Sequence, residues 1–237
     1  MRIQKLPKVK KEHAVEQHSR VNRILLGPLE RPALKWLAEH MPRWMTPDIL
    51  TGIGFLGAVL IAISYYLTNY NPAFLWLASF GFVVNWFGDS LDGTLARFRH
   101  IERPRYGFFL DHTLDSASET IIFIGLGLSP YVNLDLAFLA LIGYLLLSIF
   151  VFISTYVSGE FKISYGRFGP TEIRAVAILA NTLIFFMGNP VVQILNWNIQ
   201  LYDLLLGFIT VVLYSIFIVS TILRARQLSE MEKRDQG

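Results

Sequence analysis

The 237-residue sequence predicts an all-α integral membrane protein: six transmembrane helices behind an N-terminal interfacial amphipathic helix, with both termini in the cytosol. Three observations predict it. The chain is 53% hydrophobic and only 16% charged, with a mean hydropathy of +0.44, too apolar for an ordinary soluble domain. It contains apolar runs of the length a bilayer demands, about 20 helical residues for a hydrocarbon core of roughly 30 Å. Its Lys and Arg residues fall in blocks that alternate along the chain with connections that contain none.

Residues 1–18 are charged throughout and lack an apolar centre, so they read as a mobile basic tail and not as a signal peptide. Residues 19–46 interleave Ile24, Leu25, Leu29, Leu34, Trp36, Leu37 and Trp44 with Arg23, Arg31, Lys35 and Arg43. That pattern suits an interfacial amphipathic helix interrupted near Pro28 and Pro32, or a basic leader that sets topology. The transmembrane domain is expected over 47–226, followed by a cytosolic tail at 227–237. Four spans are plain, at 49–68, 72–88, 136–157 and 204–223. Two more carry polar residues: 107–129 holds Asp111, His112, Asp115 and Glu119, and 171–188 opens with Glu172 and Arg174.

All 21 Lys and Arg lie within 2–43, 97–105, 162–174 and 224–234, whereas the connections near 69–71, 130–135 and 189–203 have none. Under the positive-inside rule this alternation needs six spans, with the second and fourth connections cytosolic. Such flanking blocks are the mark of membrane orientation, so the pI near 9.1 does not indicate a nucleic-acid partner. Cysteine is absent, which excludes disulfides, thiolate chemistry and sulfur-held zinc. The expected location is the cytoplasmic membrane of a prokaryote, with membrane lipids as partners.

The chemistry lies in the run DSLDGTLAR, nine residues, then GFFLDHTLD. On helices, Asp89 and Asp92 share a face at i and i+3, followed by Gly93 and Ala96, while Asp111 and Asp115 share one at i and i+4, one turn after Gly107. Rise per residue puts Asp89 about 25 Å along its span, and Asp111 and Asp115 about 6 and 12 Å into theirs. All four carboxylates should meet in a sunken, cytosol-facing pocket. Intramembrane carboxylates cost at least roughly 2.5 kcal/mol each and need counter-charge. Arg97 is the one basic residue near them on these helices, so oxygen-ligated Mg²⁺ or Mn²⁺ is the better account, and four aspartates suffice for two ions. Gly93, Ala96 and Gly107 leave bare helix faces, suited to a bulky ligand or to close helix packing.

These residues match the signature of the CDP-alcohol phosphatidyltransferase family, D-x-x-D-G-x-x-A-R, a spacer, then G-x-x-x-D-x-x-x-D, and the chain is identified as resembling it. The resemblance implies that Asp89, Asp92, Asp111 and Asp115 hold two divalent ions against the pyrophosphate of a CDP-linked donor. An acceptor hydroxyl, lipid or soluble, attacks the phosphorus distal to cytidine and CMP leaves. Asp92, Gly93, Ala96, Arg97 and Gly107 would line the nucleotide side, Asp115 would be the general base, and the protein would be a homodimer. His112 competes for the base role, since a neutral imidazole accepts a proton near pH 7; its other reading is a packed residue one position off the metal face.

On the same side, FGPTEIR opens the fifth span, and Glu172 and Arg174, with Arg105, are candidates for binding the acceptor. Pro170 and Glu172 also fit an ordinary helix start. Gly-Pro-Thr-Glu with Asp-His resembles the choline and ethanolamine phosphotransferase branch, whereas LDHTLDSASE resembles the inositol-phosphate branch, so the substrate pair stays open between them. Arg97, Arg99, Arg103 and Arg105 with His100 make a basic connection suited to anionic headgroups or to a substrate phosphate. The rival class is a transporter or cation channel using the carboxylates as an ion site. It would need polar groups through the full thickness, and the later spans offer scattered Asn181, Ser154 and Ser215.

Overall fold

The computed structural model describes residues 25–158, 169–194 and 197–235. The tail expected at 1–18, the start of the amphipathic segment to residue 24, most of the 162–174 connection and residues 236–237 lie outside them. Among the described residues are seven helices: α1 (Gly27–His40), α2 (Pro47–Leu67), α3 (Phe74–Phe98), α4 (Pro104–Gly127), α5 (Leu134–Ser158), α6 (Pro170–Met187) and α7 (Leu201–Asp235). Five of them, α2, α3, α5, α6 and α7, are long and apolar enough to cross a bilayer, which makes this an integral membrane protein. Helix α4 has the length, 24 residues, but carries Asp111, Asp115 and Glu119.

The helix starts follow from local chemistry. Pro28, Pro47, Pro104 and Pro170 each sit in the first helical positions of α1, α2, α4 and α6, where a missing N–H costs nothing. Thr46 caps α2 by accepting from the Ile49 N–H at 3.3 Å. The interruption expected at Pro32 does not occur: α1 runs through it, because Pro32 lies only a turn from the start. Helix α3 outruns its expected end at 88 and carries both Asp89 and Asp92 before closing at Phe98. His100 supplies the left-handed residue that ends it, with φ of 55°, and the Ile101 N–H closes back on the Ala96 carbonyl at 3.0 Å.

Two features of the C-terminal part add to the sequence reading. The 189–203 connection holds a two-stranded antiparallel pairing, β1 (Val191–Ile194) with β2 (Trp197–Gln200), paired Val191 to Gln200, a small addition to an all-helical architecture. Helix α7 continues past residue 223 to Asp235, covering the stretch read as a tail. Its Arg, Gln, Glu and Lys residues are good helix formers in water, so leaving the apolar run does not end the helix.

Lipid supplies little hydrophobic drive between helices, so close packing must hold the bundle. The α2–α3 contact is backbone against backbone: a Cβ on Gly57 would lie 2.6 Å from the Asn85 nitrogen, and one on Gly88 would collide with Gly54 and the Leu50 carbonyl. Gly125 of α4 sits equally close to Ala62 of α2, so α2 is the shared wall for both aspartate-bearing helices. Deeper, the Tyr65 hydroxyl donates to Asn181 Oδ1 at 3.0 Å, and Asn181 Nδ2 donates to Ser79 at 3.2 Å, tying α2, α6 and α3. Helix α1 packs Leu34 and Ala38 against Leu50, Leu91 and Leu95, while Leu25, Leu29, Trp36 and Trp44 stay exposed. The last helix, α7, packs mainly on α5, where Tyr214 lies over Gly143.

Candidate active site

The carboxylates converge at the end of the bundle where α2, α4 and α6 begin. Asp89 of α3 and Asp111 and Asp115 of α4 line one small cavity, together with Thr51, Gly54 and Phe55 of α2, Asn85 of α3, and Leu114 and Ser118 of α4. The i, i+4 spacing brings Asp111 and Asp115 to the same face, as the pattern predicts. Asp92 is coupled to this cavity through Thr51, whose hydroxyl donates to Asp92 Oδ2 at 2.6 Å; its other oxygen accepts from the Gly93 N–H.

His112 is not off the face. One oxygen or nitrogen from each of Asp111, His112 and Asp115 lies within 4.8 Å of the others, a spacing that could hold a metal ion. The imidazole Nδ1 is 3.4 Å from Asp111 Oδ2, and the ring is stacked on Phe152 of α5 at 5.2 Å with Phe108 at its edge. A helical residue adjacent to a face residue is rotated about 100° away, but an imidazole is long enough to swing back beside its neighbour.

Arg174 enters from α6. Its Nη2 donates to Asp89 Oδ2 at 2.5 Å and its Nε to Asn85 Oδ1 at 2.8 Å, while Asn85 Nδ2 holds the Gly54 carbonyl at 2.9 Å. The guanidinium offsets one of four carboxylates and leaves an excess of negative charge around oxygen and imidazole donors, a set suited to a hard or borderline divalent cation. Glu172, the other acceptor candidate on α6, is only 3% exposed, and its two oxygens accept from backbone N–H groups: Leu26 at 2.8 Å and Gly169 at 2.9 Å. This is the helix-start role: Gly169 as N-cap has no side chain to reciprocate, so Glu172 alone closes the turn and also anchors the approach to α1. Arg105 is exposed in the first turn of α4, away from these bonds.

The glycines divide. A Cβ on Gly107 would meet nothing within 4 Å, and one on Gly93 would meet the flexible end of Arg97 at 3.3 Å. Their bareness therefore serves no helix contact, in contrast to Gly54, Gly57 and Gly88. Ala96 is half-buried on the same stretch, and Arg97 donates to Thr94 at 3.2 Å. Of the basic connection, Arg99 is committed to the fold, donating to the carbonyls of Met45, Met41 and Pro42 at 2.5, 2.9 and 2.8 Å. Arg103 pairs with Asp48 and lies over the Tyr106 ring at 4.2 Å. Thr51 and Asn85 are the site residues that the sequence pattern does not single out; a polar residue in an otherwise apolar span was their only signal.

The sequence pattern of the CDP-alcohol phosphatidyltransferase family matches residues 44–224. Archaetidylinositol phosphate synthase of Pyrococcus horikoshii is 37% identical over 123 residues, 50% of this chain and 62% of that protein. Cholinephosphotransferase 1 of Gallus gallus is 30% identical over 213 residues, 84% of this chain and 60% of that protein. The chain thus spans about three fifths of the length of these two relatives. The phosphatidylinositol phosphate synthase of Mycobacterium tuberculosis, solved with CDP-DAG bound, superposes with a TM-score of 0.50 at 18% identity, covering 84% of this chain and 90% of that one, a likeness of fold. With every fixed residue of the signature present and three of its four aspartates gathered on one cavity, the chain belongs to the CDP-alcohol phosphatidyltransferase family.

Proposed function

We propose that the protein transfers a substituted phosphate group from a CDP-alcohol, either CDP-diacylglycerol or a CDP-amino alcohol, to an acceptor hydroxyl with release of CMP. The observation that carries this reading is the shared cavity of Asp89, Asp111 and Asp115, with Asp92 joined to it through Thr51. Those four aspartates are the proposed ligands of two divalent cations, Mg²⁺ or Mn²⁺, with His112 adjacent. When bound, such ions neutralise pyrophosphate charge and polarise the attacked phosphorus.

The chain's own groups do the rest. Asp115 accepts the proton of the acceptor hydroxyl as its oxygen bonds to the phosphorus distal to cytidine, and the bond from that phosphorus to the CMP oxygen breaks. His112 steadies Asp111, since its Nδ1 faces that carboxylate. Gly93, Ala96 and Gly107 give the nucleotide room beside the helix backbones, with Arg97 at the rim. Arg174 orients Asp89 and, with Arg105, faces the acceptor side; Glu172 acts only through the placement of Arg174. Helix α4 is also a span, the third of six in chain order, the Lys- and Arg-bearing end lies in the cytosol, and the working unit is a homodimer.

The test is a donor-by-acceptor panel in lipid with Mn²⁺, reading CMP release. Release that depends on both a donor and an acceptor is expected, whereas absence of CMP from every CDP-alcohol tried would overturn the proposal.

A further inference from the structure

Glu30, in the first turn of α1, lines no part of the cavity, yet a single oxygen of its carboxylate joins the two helices whose relation the site depends on. Glu30 Oε1 accepts from Trp86 Nε1 of α3 at 2.9 Å and from the Thr171 hydroxyl of α6 at 2.7 Å. Trp86 is the neighbour of Asn85 and lies one turn before Asp89; Thr171 lies one turn before Arg174. The donors gathered by Glu30 are therefore one turn removed from the contacts that Arg174 makes with Asn85 and Asp89. Sliding α6 along α3 by one residue, about 1.5 Å, would break both sets together. The bonds are partly buried and charge-assisted, which makes them the stronger kind. Helix α1 is held in place independently, by Leu34 and Ala38 in the apolar contact, by Arg99 on the carbonyls beyond its C-terminal end, and by Glu172 on the Leu26 N–H.

We propose that Glu30 is a positioning residue: from outside the cavity it sets the register of α3 against α6 at which Arg174 holds Asp89. The catalytic part of this statement rests on the transferase reading above; the register part does not.

Turnover and geometry test it together. Glu30→Ala is expected to lower kcat with little change in KM for the CDP donor, since a misplacement of about 1 Å can cost on the order of 10²-fold. Glu30→Gln, which keeps an acceptor oxygen, should restore most of the rate. Thr171→Val should lower kcat in the same direction. In an Arg174→Ala background Glu30→Ala should add almost nothing, because both act on one contact. The chain has no cysteine, so spin labels at Val83→Cys on α3 and Val176→Cys on α6 report the register directly. Both positions are exposed, at 47% and 56%. Dipolar broadening should change in Glu30→Ala and stay as wild type in Glu30→Gln. An unchanged spectrum in Glu30→Ala overturns the proposal, as do losses that multiply fully with Arg174→Ala. If wild-type protein releases no CMP, the transferase reading fails while the spin-label comparison still decides the register.

Discussion

Arg174 and Asp89, 85 residues apart, meet at 2.5 Å with side chains only 14% and 23% exposed. Breaking a buried ion pair from one side typically costs about 3–5 kcal/mol, because the other charge is left behind. Arg174→Ala should therefore lower the melting temperature in detergent and reduce kcat/KM by roughly 10²-fold. Arg174→Lys should recover little, since an ammonium cannot span Asn85 and Asp89 as a guanidinium fork does. Thermal unfolding and CMP release on the same preparations check both.

Removal of divalent metal should abolish turnover, and Mn²⁺ or Mg²⁺ should restore it. Asp115→Asn should lose turnover by at least about 10³-fold, as in the proposed mechanism it removes both a ligand oxygen's charge and the proton acceptor. Mn²⁺ binding followed by electron paramagnetic resonance separates the two effects: weaker binding in Asp111→Asn, with residual binding but no CMP in Asp115→Asn. Substantial turnover in Asp115→Asn would move the base assignment to His112.

Thr51→Val tests the bond between α2 and Asp92 at 2.6 Å. A hydrogen bond to a charged group is worth about 1.5–3 kcal/mol, and valine fills the same volume without it. The expected result is a fall of about tenfold or more in kcat/KM with the helix content unchanged by circular dichroism.

The glycines give opposite outcomes from one substitution. Gly88→Ala and Gly57→Ala force a methyl into backbone and should destabilise by about 1–3 kcal/mol or more. Gly107→Ala has open space and a better helix former, so its thermal stability should hold or rise by up to about 1 kcal/mol while its affinity for the CDP donor falls. Loss of stability in Gly107→Ala would return that residue to a packing role.

His100 holds φ at 55°, where a side chain costs about 1 kcal/mol that glycine does not incur. His100→Gly should raise the melting temperature without altering CMP release.

How much of this could be read from residues alone depended on the range of the interaction. Spans were legible because hydropathy acts along one helix, and α2, α5 and α6 fall within about two residues of their expected limits. The 3.6-residue period likewise sufficed to put Asp111 and Asp115 on one face. What spacing could not supply was the partner from another helix. Arg174 was marked as a candidate for the acceptor, but its bond to Asp89 depends on how α6 lies against α3. Thr51 was invisible because a lone threonine in a span more often bonds its own helix, whose Pro47 carbonyl also lies within reach of this hydroxyl at 3.0 Å. Glu172 was drawn toward the substrate by its place in the sequence, whereas Leu26, 146 residues away, holds one of its oxygens. The strand pair at 191–194 and 197–200 was missed for a related reason: a four-residue strand acquires meaning only from its partner.

The contact of Gly54 with Gly88 puts main chain, with no side chain between, beside the aspartate cavity that Gly54 lines. Alanine scanning elsewhere cuts a side chain back, whereas at these glycines it adds a methyl to a place that has no room for one. One survey therefore reports two opposite things, the loss of a carboxylate at the aspartates and the intrusion of an atom at the glycines beside them. Adding atoms one methyl at a time along α2 and α3 maps this wall by what it cannot accommodate.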